Sequence, residues 1–136
     1  MKHIIFKYRK EKTKSNLDVY RPVAYVYIKG QDGNWYFFDP YVDSGADLPL
    51  FTKSDCMLLG HELEKGEERL IGGVGGTLIR CFVHNLDMKI GDNIFRTKAA
   101  FAELEEVPRL LGRIEAFAPF RICFEERKKE THFFLL

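Results

Sequence analysis

"YVDSGAD", residues 41–47, stands between "NWYFFDP" (34–40) and "LPLF" (48–51), and its reading decides the fold. The residues before Asp43 are aromatic and β-branched, as in a buried strand, and Ser44 and Gly45 turn the chain straight after the carboxylate. Asp-Ser-Gly is good turn chemistry on any surface. The competing reading is a strand that delivers an oriented acid to a site. Glycine permits a close backbone approach, and a hydroxyl beside a partly buried carboxylate fixes its orientation and tunes it. One carboxylate does little hydrolysis alone, whereas two that share a proton activate water and protonate a carbonyl. The chain holds one Asp-Ser-Gly, so a second copy has to come from a second subunit.

The bulk composition narrows the classes. A chain of 136 residues, 46% apolar and 30% charged, suits one domain that buries its own core. Twenty-one basic against twenty acidic side chains give a formal charge of +1. That balance offers no electrostatic reason to expect nucleic acid or an acidic membrane as partner. The basic clusters 7–14 and 127–129 read as solvated surface. "MKHIIFKYRK" has three consecutive apolar residues, too few for a signal peptide or a span. Cys56, Cys81 and Cys123 are widely spaced, which fits reduced, buried thiols and a cytoplasmic location. His3, His61, His84 and His132 are scattered without zinc-ligand spacing, so neither metal nor cofactor is expected.

Most of the chain reads as strands. "HIIFKYR" is a first strand and "KEKTKSNLD" a polar loop, together an extension over residues 1–21. Residues 22–42 form a hairpin around "GQDGN", in which Pro40 demands an edge or a bulge because it lacks a ladder donor. "TKSDCMLLG" predicts a helix with Thr52 as cap, Asp55 completing a capping box and Gly60 at C′. "NLDMKIGDNIFRTKAAFAEL" gives two strands across Gly91, Asp92 and Asn93. "VPRLLGRIEAFAPF" starts as a buried strand and passes into a short helical stretch, and residues 121–136 close the chain as a hairpin turning at "EERKKE". The expectation is one β-dominated domain over 1–136 with one or two short helices.

Two further motifs bear on chemistry. In "LIGGVGGTLIRCFV" two apolar arms flank Gly72, Gly73, Gly75 and Gly76, leaving Val74 as the side chain at the tip. Such a tip packs poorly and loses much entropy on ordering, so it suits a mobile lid offering backbone groups to an extended peptide. A phosphate loop is excluded, since no Gly-Lys-Ser/Thr ending or helix follows. In "RLLGR", Leu110 and Leu111 read as core, Gly112 allows close packing, and the guanidinium fork of Arg113 suits a carboxylate.

Taken in order, "YVDSGAD", "IGGVGG" and "VPRLLGR" resemble the retropepsin family of retroviral-type aspartic proteases over about residues 22–125. The chain is similar in particular to single-domain members from cellular microbes. The resemblance implies a closed or partly open β-barrel-like acid-protease fold and a homodimer that cleaves peptides. Asp43 is then the catalytic acid, one per subunit, and Ser44 the hydroxyl that bonds across the two-fold axis. Gly45 presents a carbonyl to substrate, and Asp47 binds substrate backbone with Arg113 as its partner. Ala46, Leu48, Ile71 and Leu110 line the substrate, Gly72, Gly73 and Val74 form the flap tip, and Gly112 supports the loop. Leu48 stands where many viral members carry an acid, which implies a more apolar pocket. The termini are longer than in viral members, so the dimer contacts are expected to differ. A silent retropepsin-like binding or dimerisation module is the alternative reading.

Overall fold

The computed structural model describes residues 2–73 and 75–136. It is β-dominated. Three strands from the chain ends, β1 (His3–Lys7), β12 (Phe120–Glu125) and β13 (Glu130–Leu135), form an antiparallel sheet in the order β1-β13-β12. Ile4 pairs with Phe133 across it, and both belong to the main core. The extension continues as β2 (Arg9–Lys12) and β3 (Asp18–Arg21), which pair as a separate ribbon. The polar segment expected as a loop is therefore a hairpin. Its turn is made at Asn16, whose φ of 63° asparagine tolerates. Both strands are charged on both sides, so no apolar alternation marked them.

The large sheet carries the site. It contains β4 (Val26–Lys29), β5 (Trp35–Phe38), β6 (Tyr41–Val42), β7 (Leu50–Phe51), β8 (Glu67–Gly72), β9 (Leu78–Ile90), β10 (Asn93–Ala102) and β11 (Leu110–Leu111). The order is β5-β4-β9-β10-β7-β11-β6, with β8 paired to the outer part of β9. Short parallel pairings, β10 with β7 and β11 with β6, bring the segment after Asp43 under the segment before Arg113. The sheet curls until β6 reaches back towards the start of β4, and of the closed or partly open barrel expected it is the open form. Contact there is one isolated bridge, Val23 to Tyr41. Proline explains the limit. Val42 donates to the Pro22 carbonyl and Ala24 to the Pro40 carbonyl, and neither proline has an N–H to return. Pro40 lies between β5 and β6, so the interruption it demanded is real.

Helix α1 (Lys53–Leu58) follows β7. Thr52 accepts from the Asp55 amide and Asp55 accepts from the Thr52 amide, completing the capping box, and Gly60 has φ of 82°. A 3-10 turn, Leu63–Lys65, precedes the β8–β9 hairpin. The helical stretch expected after Arg113 is instead a run of turns over 114–119. Glu115 takes φ of 67° there and Pro119 ends the run, so a helix has no room to propagate. The main core includes Val26, Ile28, Phe51, Phe101 and Leu111. No described helix is long and apolar enough to cross a membrane.

Candidate active site

Strand β6 ends at Val42, and Asp43 opens the loop that follows. Both sides of this segment are held. The Tyr41 amide donates to the Arg109 carbonyl at 3.0 Å and the Asp43 amide to the Leu111 carbonyl at 3.1 Å, while Val42 is tied to Pro22. Two strands thus fix the backbone from which the carboxylate projects. The side chain is fixed in turn, because Gly45 donates its N–H to Asp43 Oδ1 at 2.8 Å. Ala46 donates back to the Asp43 carbonyl at 3.2 Å, which closes a tight loop around the acid. Asp43 is half-buried, whereas Ser44 and Gly45 are exposed.

The loop is locked onto the segment after β11. Arg113 and Ile114 donate backbone N–H groups to the Ala46 and Asp47 carbonyls at 2.9 and 2.7 Å. Arg113 Nη2 also donates to Asp47 Oδ1 at 2.9 Å, through one prong of its fork. Both side chains remain largely in water, so the other face of Asp47 is open. Gly112 is obligatory here. A Cβ built on it would stand 2.3 Å from the Leu48 carbonyl carbon and oxygen. The expected partners Asp47, Gly112 and Arg113 are therefore brought together with Asp43.

A second apolar cluster lies apart from the main core. Leu48, Leu50, Cys81, Val83, Ala100 and Ala102 are buried in it, with Ile71, Ile79, Val107 and Leu110 packed against them. Leu48, Ile71 and Leu110, expected as substrate-lining, meet in this one cluster. Leu50, Ile79 and Val107 join them without having been singled out; their places in strands that read as ordinary core gave no distinguishing signal. Ile71 pairs with Ile79 across the β8–β9 hairpin and Gly72 with Leu78. Gly73 donates to the Thr77 carbonyl at 3.2 Å. Val74 lies outside the described residues. On the same hairpin Arg80 joins Glu68 and Glu103, each at 2.9 Å.

Sequence reading also missed a brace behind the rim. Asp55, buried in the capping box, accepts two bonds from Arg109, Nε to Oδ2 at 2.7 Å and Nη2 to Oδ1 at 3.0 Å. Glu105 accepts from the Ser54 amide, so the segment 103–109 is tied to α1 at two points. Cys56 and Cys81 are fully buried, and burial pushes both thiols up to about 11. Cys123 is half-buried. A concave pocket of about 260 Å³ lies elsewhere, around Lys29, Gln31, His61 and Arg96, and shares no residue with the Asp43 loop or the tip of the β8–β9 hairpin.

No family model matches the chain, and no curated protein matches it significantly. Solved structures do. EIAV protease in complex with an inhibitor is 26% identical with a TM-score of 0.52, over 68% of this chain and 82% of that one. A retropepsin-like aspartic protease from Rickettsia conorii is 19% identical with a TM-score of 0.64, over 96% of this chain and 97% of the other.

Proposed function

We propose that this chain, whose fold is that of the retropepsin-like aspartic proteases, is an aspartic endopeptidase that works as a homodimer. The observation that carries the reading is Asp43 itself. Its backbone is tied on both sides, its carboxylate is oriented by the Gly45 N–H, and it opens beside an apolar cluster that the flap hairpin joins. A pure binding surface has no physical need of an acid held this way.

One subunit supplies one such acid, and a two-fold axis brings the same loop from both, giving an Asp43–Asp43 pair. Like charges in contact cannot both ionise, so the pair keeps one proton. One carboxylate then takes a proton from water as it attacks the peptide carbonyl, and the protonated one donates to the carbonyl oxygen. No covalent intermediate is needed. Ser44, exposed at the loop tip, serves the contact between the two loops. The Gly45 carbonyl and the open face of Asp47 hold substrate backbone, with Arg113 keeping Asp47 in place. Ala46, Leu48, Ile71 and Leu110 accept side chains, and the flap tip at Gly72, Gly73 and Val74 closes over the extended peptide.

The test is Asp43→Asn in a peptide-cleavage assay from pH 3 to 7. The parent chain is expected to cleave in acid and to lose activity as pH rises and the shared proton leaves. The variant is expected to fall by at least three orders of magnitude with its fold intact. Equal rates for the two, or a silent parent chain that still binds peptide, overturns the reading.

A further inference from the structure

We infer that the N-terminal hairpin β2–β3 is a built-in wall of the substrate cleft, and that Glu11 is the positioning residue that seats Tyr41 against it and masks its positive charge. The inference rests on the peptidase reading and names the substrates that such a cleft favours.

The facing follows from strand alternation. Val42 is buried in the main core, so Tyr41 and Asp43 project from the opposite side of the same segment. Leu111 is core as well, so Leu110, the parallel partner of Tyr41, shares that side. The surface beside the acid thus runs from Leu110 to Tyr41, and what Tyr41 meets next is the hairpin. Its hydroxyl lies 2.9 and 2.7 Å from the two Glu11 carboxylate oxygens. Arg9 Nε donates to Glu11 at 2.8 Å and Arg21 Nε lies 3.1 Å from it. The two guanidinium carbons stand 5.0 and 5.9 Å from the centre of the Tyr41 ring, within cation–π range. Arg9 also donates Nη1 to Asp39 Oδ2 at 2.7 Å. The hairpin is therefore fastened at residues 39 and 41, directly upstream of Asp43.

Exposure sets the sign of this wall. The Glu11 side chain is 24% exposed, against 50% for Arg21 and 35% for Arg9. The Glu11 carboxylate sits inside, and Arg9 is matched by Asp39, whose side chain is 41% exposed, so Arg21 is the guanidinium that faces out and gives the wall its positive edge. A substrate side chain that extends past Tyr41 meets a cationic edge, with Glu11 partly neutralising it from behind. Acidic side chains are accepted there and lysine is disfavoured. Burial by itself raises the Glu11 carboxyl, but hydrogen bonds from Tyr41 and Arg9 and the charges of Arg9 and Arg21 outweigh it and hold the group below the usual carboxylate range. With Arg9, Arg21, Tyr41 and, through Arg9, Asp39 facing it, the fastening stays ionised in mild acid.

The test measures binding of short peptides, identical except for Glu or Lys scanned along the chain, to the full-length Asp43→Asn protein. The parent background is expected to prefer the Glu peptide at one position. Glu11→Gln unmasks Arg21 and is expected to widen that preference about tenfold, more at low salt than at high. Glu11→Asp restores the original ratio, and Arg21→Gln abolishes the preference. A purely structural role weakens both peptides alike; an unmoved ratio, or failure to bind either peptide, overturns the inference. Turnover by the parent chain is read separately. An active chain with an unmoved ratio sinks only the wall, and an inactive chain whose ratio moves sinks only the peptidase.

Discussion

At Gly112 a single methyl group is enough to disturb the site. The Leu48 backbone leaves a Cβ no space, and backbone cannot swing aside as a side chain does. Gly112→Ala is expected to cost at least about 1–3 kcal/mol, as overpacking does, with the denaturant midpoint falling at constant slope. Arg109 makes a different kind of demand. Arg109→Met leaves Asp55 buried without its partner, a change of about 3–5 kcal/mol for a fully buried pair. Arg109 itself is 45% exposed, so a loss of about 2 kcal/mol is the expectation in a denaturant titration. Glu11 adds a pH dependence. Its folded carboxyl is depressed, so its stabilisation is fully present above the unfolded glutamate value of about 4.3 and disappears as pH falls through the lower folded value. The stability difference between parent and Glu11→Gln is therefore expected to be constant at neutral pH and to close only in stronger acid. The thiols differ as well. Native alkylation at pH 8 is expected to label Cys123 well before the buried, raised Cys56 and Cys81.

Among the elements, those with local chemistry were legible and those held by distant partners were not. Helix α1 was readable because its start and stop are written within nine residues, in Thr52, Asp55 and Gly60. Thr52→Ala is expected to cost about 1 kcal/mol, read as a drop in the thermal midpoint. The β8–β9 hairpin was readable from glycines between apolar arms, and its arms pair as expected. The β2–β3 ribbon was not. Its strands are held by charge, with Lys12 to Asp18 at 2.9 Å and Arg9 and Arg21 on Glu11, and hydrophobic patterning is blind to that. The turns over 114–119 misled in the opposite way, because "RIEAFA" has helical composition while Gly112 and Pro119 leave it too little length to nucleate. In the candidate site, Asp43, Asp47, Gly112 and Arg113 were legible as motif, whereas Arg109 and Glu11 act across 54 and 30 residues of sequence on Asp55 and Tyr41 and left no local trace.

The whole molecule is an open, curled sheet with a separate three-stranded sheet made by its ends. Pro22 and Pro40 keep the curl from sealing, and the acid lies at that unsealed margin. A subunit so built holds half of the proposed site, so assembly and activity are expected to share one concentration dependence. Sedimentation and specific activity measured on the same dilution series check this; activity that persists in a strictly monomeric chain contradicts the shared axis.

Strand β9 runs unbroken for 13 residues, from the tip of the β8–β9 hairpin into the middle of the sheet. Its neighbours change along the way. Leu78 and Ile79 pair with β8, Arg80 pairs with β8 and also accepts from the Glu103 amide just past β10, Cys81–Val83 lie between β8 and β10, and Met88 lies between β4 and β10. One continuous backbone therefore samples the protein's whole range of opening free energies. Amide hydrogen exchange along it becomes a ruler: protection is expected to rise from Leu78 inward, and the residue where added peptide ceases to slow exchange marks how far along the strand its binding is felt.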